Sequence, residues 1–124
     1  MKEKGMGMMH MNFWERFETL ITEHEIVIDR PKGTRHPKYP QIVYPLDYGY
    51  LKGTTAGDGG GIDVWIGSMD ERKITGIVIT VDTLKKDSEV KILIGCNEDD
   101  KKKILKIVNN PYMSGIIIDN PISK

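Results

Sequence analysis

The chain has 124 residues, 18 Lys plus Arg against 18 Asp plus Glu, and a formal net charge of +0. That length suits one domain with one core, and the charge balance argues against a general nucleic-acid binder, whose footprint is a basic excess. The single cysteine, Cys96, excludes an intrachain disulfide framework and fits a reducing cytoplasm, while apolar runs such as Ile77-Val78-Ile79 and Ile116-Ile117-Ile118 are far too short to span a bilayer.

The opening Met1–Met11 is rich in methionine and lacks an apolar signal-peptide region. It is expected to be a disordered extension, with one domain over 12–124. Asn12 to His24 reads as a helix. Phe13, Phe17, Leu20 and Ile21 recur at helical spacing, and Asn12 with Glu15 makes a capping-box pattern. Ile26-Val27-Ile28 reads as a short strand closed by Asp29-Arg30-Pro31. Lys32 to Lys38 is then a basic loop, because Pro31 and Pro37 exclude a helix interior or a central strand. It reads two ways, as a solvated loop or as a receiver of phosphate oxygens.

Gln41–Tyr44 is expected as the second strand, Ile62–Ile66 as the third, Lys73–Val81 as the fourth and Val90–Ile94 as the fifth. In the fourth, Ile74, Gly76, Val78 and Thr80 are expected on one face, with Ile77, Ile79 and Val81 on the other. Apolar character on both faces marks a central strand. Thr83–Glu89 reads as a charged loop. Asn97 or Glu98 opens a helix over Asp99–Asn109, whose acidic first turn and later lysines suit the helix dipole, with Asn110-Pro111 ending it. Tyr112–Ile118 reads either as another strand or as a packed tail. The whole predicts an α+β fold, mainly β with flanking helices, in which five strands form a small curled sheet or barrel.

The densest run of chemically capable residues is Tyr44-Pro45-Leu46-Asp47-Tyr48-Gly49-Tyr50, continuing through Asp58-Gly59-Gly60-Gly61-Ile62-Asp63. Carboxylates at the lip of a strand suit a hard cation such as Mg²⁺. Gly and Asp also favour turns for conformational reasons alone, so a plain surface loop accounts for the same residues.

These two segments, at their separation, resemble the soluble family I inorganic pyrophosphatases, over about Ile26 to Lys91. The resemblance implies a five-stranded OB-like barrel with outside helices, and a site where Mg²⁺ ions meet pyrophosphate. It implies metal ligation by Asp58, Asp63 and Asp82, with Asp87 or Glu89 supplying the next carboxylate. It implies phosphate binding by Lys38, Tyr48 and Lys91, with Tyr44 shaping the floor and Asp29 in the place of an early acidic residue. Two metals clamp the attacking and leaving oxygens in such chemistry, and fixed donors stabilise the developing charge.

The chain departs from the family at several points. Gly60 stands where the motif has its middle aspartate, the carboxylate that helps position and deprotonate water. Pro40 replaces an acidic residue, and a hairpin carrying a phosphate-binding arginine is missing, for which Arg35 is the candidate substitute. Asp47, between the tyrosines, reads as a turn residue or as a group reaching the site. Tyr112 is followed by Met113, not by the family's lysine.

Three readings follow. The first is a Mg²⁺-dependent hydrolase of pyrophosphate or a related phosphoanhydride, located in the cytoplasm. The second is a relative that binds metal and a phosphorylated ligand without turnover. The third is an OB-like interaction module using Tyr39, Tyr44, Tyr48, Tyr50 and Lys38 on single strands, against which the acidic cluster argues. Phe13 and Trp14 suit a homo-oligomer interface as well as the core.

Overall fold

A computed structural model describes residues 11–122. The expected extension lies outside that span, apart from Met11, whose Sδ accepts a hydrogen bond from the Thr19 hydroxyl at 3.4 Å. Asn12 starts helix α1 (Phe13–Glu23) as a complete capping box: its side chain accepts from the Glu15 N–H and the Glu15 carboxylate accepts from the Asn12 N–H, each at 2.8 Å. Asn97 and Asp100 repeat the device at helix α2 (Glu98–Val108). Asp100 is 2 % exposed and also accepts from the Ser68 N–H and hydroxyl, both at 2.9 Å. Burial works to raise its pKa, but backbone hydrogen bonds from Ser68 and Asn97 outweigh that and hold the carboxyl below its usual range.

The helices cover a six-stranded sheet of β1 (Ile26–Arg30), β2 (Asp47–Leu51), β3 (Ile62–Ile66), β4 (Ile74–Asp82), β5 (Asp87–Ile94) and β6 (Met113–Asp119), in the order β1-β2-β3-β5-β4-β6. Every neighbouring pair is antiparallel except β3 with β5, where Val64, Trp65 and Ile66 lie opposite Ile92, Leu93 and Ile94. The sheet is therefore mixed and open, with β1 and β6 as its edges.

The α+β class agrees with the sequence reading; the strand count and the barrel do not. Tyr112–Ile118 supplies the extra strand, and no pairing of β1 with β6 closes a barrel among the described residues. Gln41–Tyr44 is not a strand. It makes one isolated bridge, Val43 with Arg35, and Tyr44 N–H donates to Thr34 O at 2.9 Å. The second strand is instead Asp47–Leu51, inside the tyrosine motif. Its glycine is required by close approach, since a Cβ on Gly49 would collide with the backbone carbonyl of Val27. The expected Thr83–Glu89 loop is shorter, because β5 begins at Asp87.

Each face has its own apolar cluster. Leu51, Val64, Ile66, Ile74, Ile92 and Ile94 pack under the α1 stripe of Trp14, Phe17, Leu20 and Ile21. Tyr44, Leu46, Trp65, Val78 and Leu93 pack with Ile104 and Val108 of α2. Fully burying each such side chain is worth about 1.5–3 kcal/mol. Strand β4 is central, as expected, but a bulge between Ile74 and Gly76 turns Ile74 to the α1 side while Val78 faces α2. Phe13 is 55 % exposed, edge-on to Trp14 and Phe17, so it does not join the core. No described helix is long and apolar enough to cross a membrane.

Candidate functional site

Alternation along the strands decides which side chains share a face. On β2, Tyr48 lies opposite Trp65 of β3, and Asp63 is two residues before Trp65. On β5, Leu93 lies beside Trp65, so Lys91, Glu89 and Asp87 point to the same side. Across the β4–β5 hairpin the partners are Val78 with Lys91, Thr80 with Glu89, and Asp82 with Asp87. Opposed residues of an antiparallel pair point the same way. Tyr48, Asp63, Asp82, Asp87, Glu89 and Lys91 therefore occupy one face, the α2 side of the sheet.

Four of these side chains touch. Lys91 Nζ donates to Tyr48 Oη at 2.8 Å, to Glu89 Oε1 at 2.9 Å and to Asp63 Oδ2 at 3.1 Å. Tyr48 Oη in turn donates to Asp63 Oδ2 at 2.8 Å. The side chains of Lys91, Glu89 and Asp63 are 16 %, 22 % and 30 % exposed, so the cluster is largely shielded from water. Burial raises the Tyr48 pKa and keeps the phenol protonated. For Lys91, burial acts to lower the pKa, but Tyr48, Asp63 and Glu89 overcome it, and the ammonium stays charged. The cluster thus holds one positive and two negative charges around a neutral phenol.

Beneath it, the Tyr48 ring stands edge-on to Trp65 at 4.7 Å, and Tyr44 lies 5.4 Å from Tyr48. The Trp65 indole Nε1 is buried without an acceptor among the described residues. Tyr44 Oη accepts from the Arg30 guanidinium at 2.6 Å, and Arg30 ends β1 opposite Tyr48.

The remaining sequence candidates lie apart from this contact set. Asp82 Oδ1 caps the β4–β5 turn, accepting from the N–H groups of Leu84 and Lys85, each at 2.9 Å. Asp87 pairs with Lys85 at 4.0 Å. Asp58 is exposed, and its Oδ1 accepts from the Gly60 N–H at 2.9 Å in a local turn. Lys38 is exposed, 5.9 Å from the Tyr39 ring. Arg35 donates to Pro40 O at 2.9 Å, and Asp47 accepts from Lys32 N–H at 2.8 Å, which ties the basic loop to β2.

The donor chemistry suits a hard divalent cation, since the candidates are all carboxylates. Their spacing does not assemble a cation cage: no three His, Cys, Asp or Glu among the described residues come together to hold a metal. Lys91 already takes one oxygen each from Asp63 and Glu89, so a cation on these groups competes with an ammonium. A groove of about 390 Å³ between α2 and Gln41–Pro45 is lined by none of the cluster residues.

Sequence reasoning missed Arg30, and it had His36 only as one member of the basic loop that could receive phosphate oxygens. Arg30 was visible as the last residue before Pro31, but its bond to Tyr44 depends on the β1–β2 pairing. His36 stacks on Tyr44 with ring centres 6.1 Å apart and planes 11° from parallel, which only the folded loop reveals. No known family matches the chain, and no curated protein sequence matches it.

Proposed function

We propose that the chain hydrolyses inorganic pyrophosphate, or a related phosphoanhydride, with Mg²⁺ drawn to the carboxylates of the α2-side face. The observation that supports this is the register, which puts Tyr48, Asp63, Asp82, Asp87, Glu89 and Lys91 on one face of the sheet. A cation held by Asp63, Glu89 and their neighbours would supply charge neutralisation and a water of lowered pKa. The chain's own part is to hold donors in place. Tyr48 and Lys91 stay protonated, and their protons, which rest on Asp63 and Glu89, would turn to phosphoryl oxygens as a cation takes those carboxylates.

The test is phosphate release from pyrophosphate as Mg²⁺ is titrated, with Asp63→Asn alongside. Turnover by the unaltered chain and its loss in the variant are expected. Equal turnover by both would sink the assignment of Asp63.

A second reading, binding of a phosphorylated ligand without turnover, is favoured by two observations. Gly60 stands where a water-activating carboxylate is wanted, and Lys91 holds Asp63 and Glu89. Saturable binding of a non-hydrolysable pyrophosphate analogue, with no phosphate release at any Mg²⁺ concentration, would select it.

A further inference from the structure

We infer that Arg30 and His36, set around the ring of Tyr44, form an oxyanion-binding subsite that receives a phosphoryl group. The choice of a phosphoryl group rests on the proposed function; the geometry of the subsite does not.

Arg30 is half-buried and feels the opposite charge of its neighbour Asp29. Its guanidinium donates to Tyr44 Oη at 2.6 Å and sits 5.6 Å from the Tyr44 ring centre. It makes no ion pair among the described residues, whereas Lys91 is held by both Asp63 and Glu89. A guanidinium carries five N–H donors in a planar fork that matches phosphate oxygens. One bond to the Tyr44 oxygen leaves most of that capacity unused.

His36 supplies the second donor. Its Nδ1 accepts from the backbone N–H groups of Lys38 at 3.0 Å and Tyr39 at 3.1 Å. Both bonds require a lone pair on Nδ1, so the neutral ring carries its proton on Nε2. The stacked Tyr44 ring fixes the plane of the imidazole. After burial, the influences that lower the pKa of this ring are the charges of Arg30, Lys85 and Lys38, all positive. Cations from β1, the basic loop and the β4–β5 turn thus act on one ring, Lys85 while also paired with Asp87. An anion there relieves that repulsion, while an anion on the Lys91 cluster meets two carboxylates.

Arg35, the sequence candidate for this role, is exposed and donates to Pro40 O instead. Tyr44 packs against Tyr48, 5.4 Å away, so the subsite and the Lys91 cluster flank the same pair of rings.

The experiment titrates the full chain with inorganic pyrophosphate, and separately with inorganic phosphate, in EDTA-containing buffer. It follows the His36 imidazole and Arg30 side-chain resonances by NMR. Saturable shifts of both are expected with pyrophosphate. Arg30→Met and His36→Gln should each weaken the metal-free affinity at least tenfold, and Lys52→Met should leave it unchanged. The unaltered chain carries the decisive readout, so a variant that folds poorly does not protect the idea. Unshifted His36 and Arg30 signals at millimolar pyrophosphate would overturn it, as would unchanged affinity in both variants. If Mg²⁺-dependent hydrolysis is absent yet both variants lose metal-free binding, the subsite stands and the hydrolase reading falls. If hydrolysis is present and both variants keep KM and metal-free affinity, the subsite falls and the hydrolase reading stands.

Discussion

Lys91→Met removes the one ammonium from a shielded site and leaves its volume nearly filled. Asp63 and Glu89 then face each other's charge with only the Tyr48 hydroxyl as donor, where they had Lys91 Nζ at 3.1 and 2.9 Å. At an effective dielectric of 20, two unit charges about 3 Å apart interact by roughly 5 kcal/mol. Breaking a buried pair by deleting one partner costs about 3–5 kcal/mol. The partial exposure of both carboxylates puts the expectation at the lower end, roughly 3 kcal/mol at pH 7. Urea unfolding followed by tryptophan fluorescence measures it, with Trp65 beside Tyr48 as a nearby reporter. In a domain of this size such a loss corresponds to a fall in Tm of roughly 10–15 °C. Mg²⁺ should recover part of the loss, about 2.7 kcal/mol at a hundredfold excess over Kd. A loss below about 1 kcal/mol at pH 7 would refute the reasoning, because the cluster would then behave like exposed surface pairs.

A Cβ on Gly60 would meet only Asp58 Oδ1, at 3.5 Å, so Gly60→Asp should fold normally. It should tighten Mg²⁺ binding severalfold by calorimetry; unchanged affinity would remove this loop from the cation site. Asp100→Ala strands the backbone N–H groups of Ser68 and Asn97 and should cost about 2–3 kcal/mol in chemical denaturation. The Asp100 contribution is present above the unfolded carboxyl pKa and is lost as pH falls through the lower folded value. His36 follows the same sign at higher pH. Its folded pKa lies below the ordinary 6.5, so the unfolded chain binds more protons and stability should drop as pH falls below about 6.5. That drop should be absent in His36→Gln. Cys96 is buried and its thiol is pushed up to about 12, chiefly by burial, so a thiol reagent should react only at the rate of opening.

Much of this architecture was legible where one local signal sufficed. Asn12 with Glu15 announced α1, and the acidic run after Asn97 announced α2. The β-branched runs at Ile26, Ile62, Ile74 and Val90 announced strands. Strand β2 was hidden, because Asp47 and Gly49 disfavour strands by propensity, and only the approach of Val27 explains the glycine. Gln41–Tyr44 misled in the other direction. Its Ile42-Val43 pair looks like a strand, but Pro40 and Pro45 bracket it and its hydrogen bonds close a loop. For the site, the resemblance pointed to Tyr48, Asp63 and Lys91, and to Glu89 as one of two alternatives. Their meeting depends on β3 pairing with β5 across an intervening strand in sequence, which no local pattern encodes. Asp58, Lys38 and Arg35 make no hydrogen bond to that cluster, and Arg30 required the tertiary fold to be noticed.

The sheet consists of two antiparallel halves, β1-β2-β3 and β5-β4-β6, stitched together by the short parallel run of Val64–Ile66 against Ile92–Ile94. Tyr48 and Asp63 belong to one half, Glu89 and Lys91 to the other. Each half can zip up from hairpin-like neighbours, but the seam has to await both, as long-range parallel pairing is slow. The ion cluster is therefore a clock for the final joining event. Tyr48 fluorescence or proton exchange should report on a later kinetic phase than either hairpin does. A ligand gripping both halves would act as a clasp, lowering the unfolding rate more than it raises the folding rate.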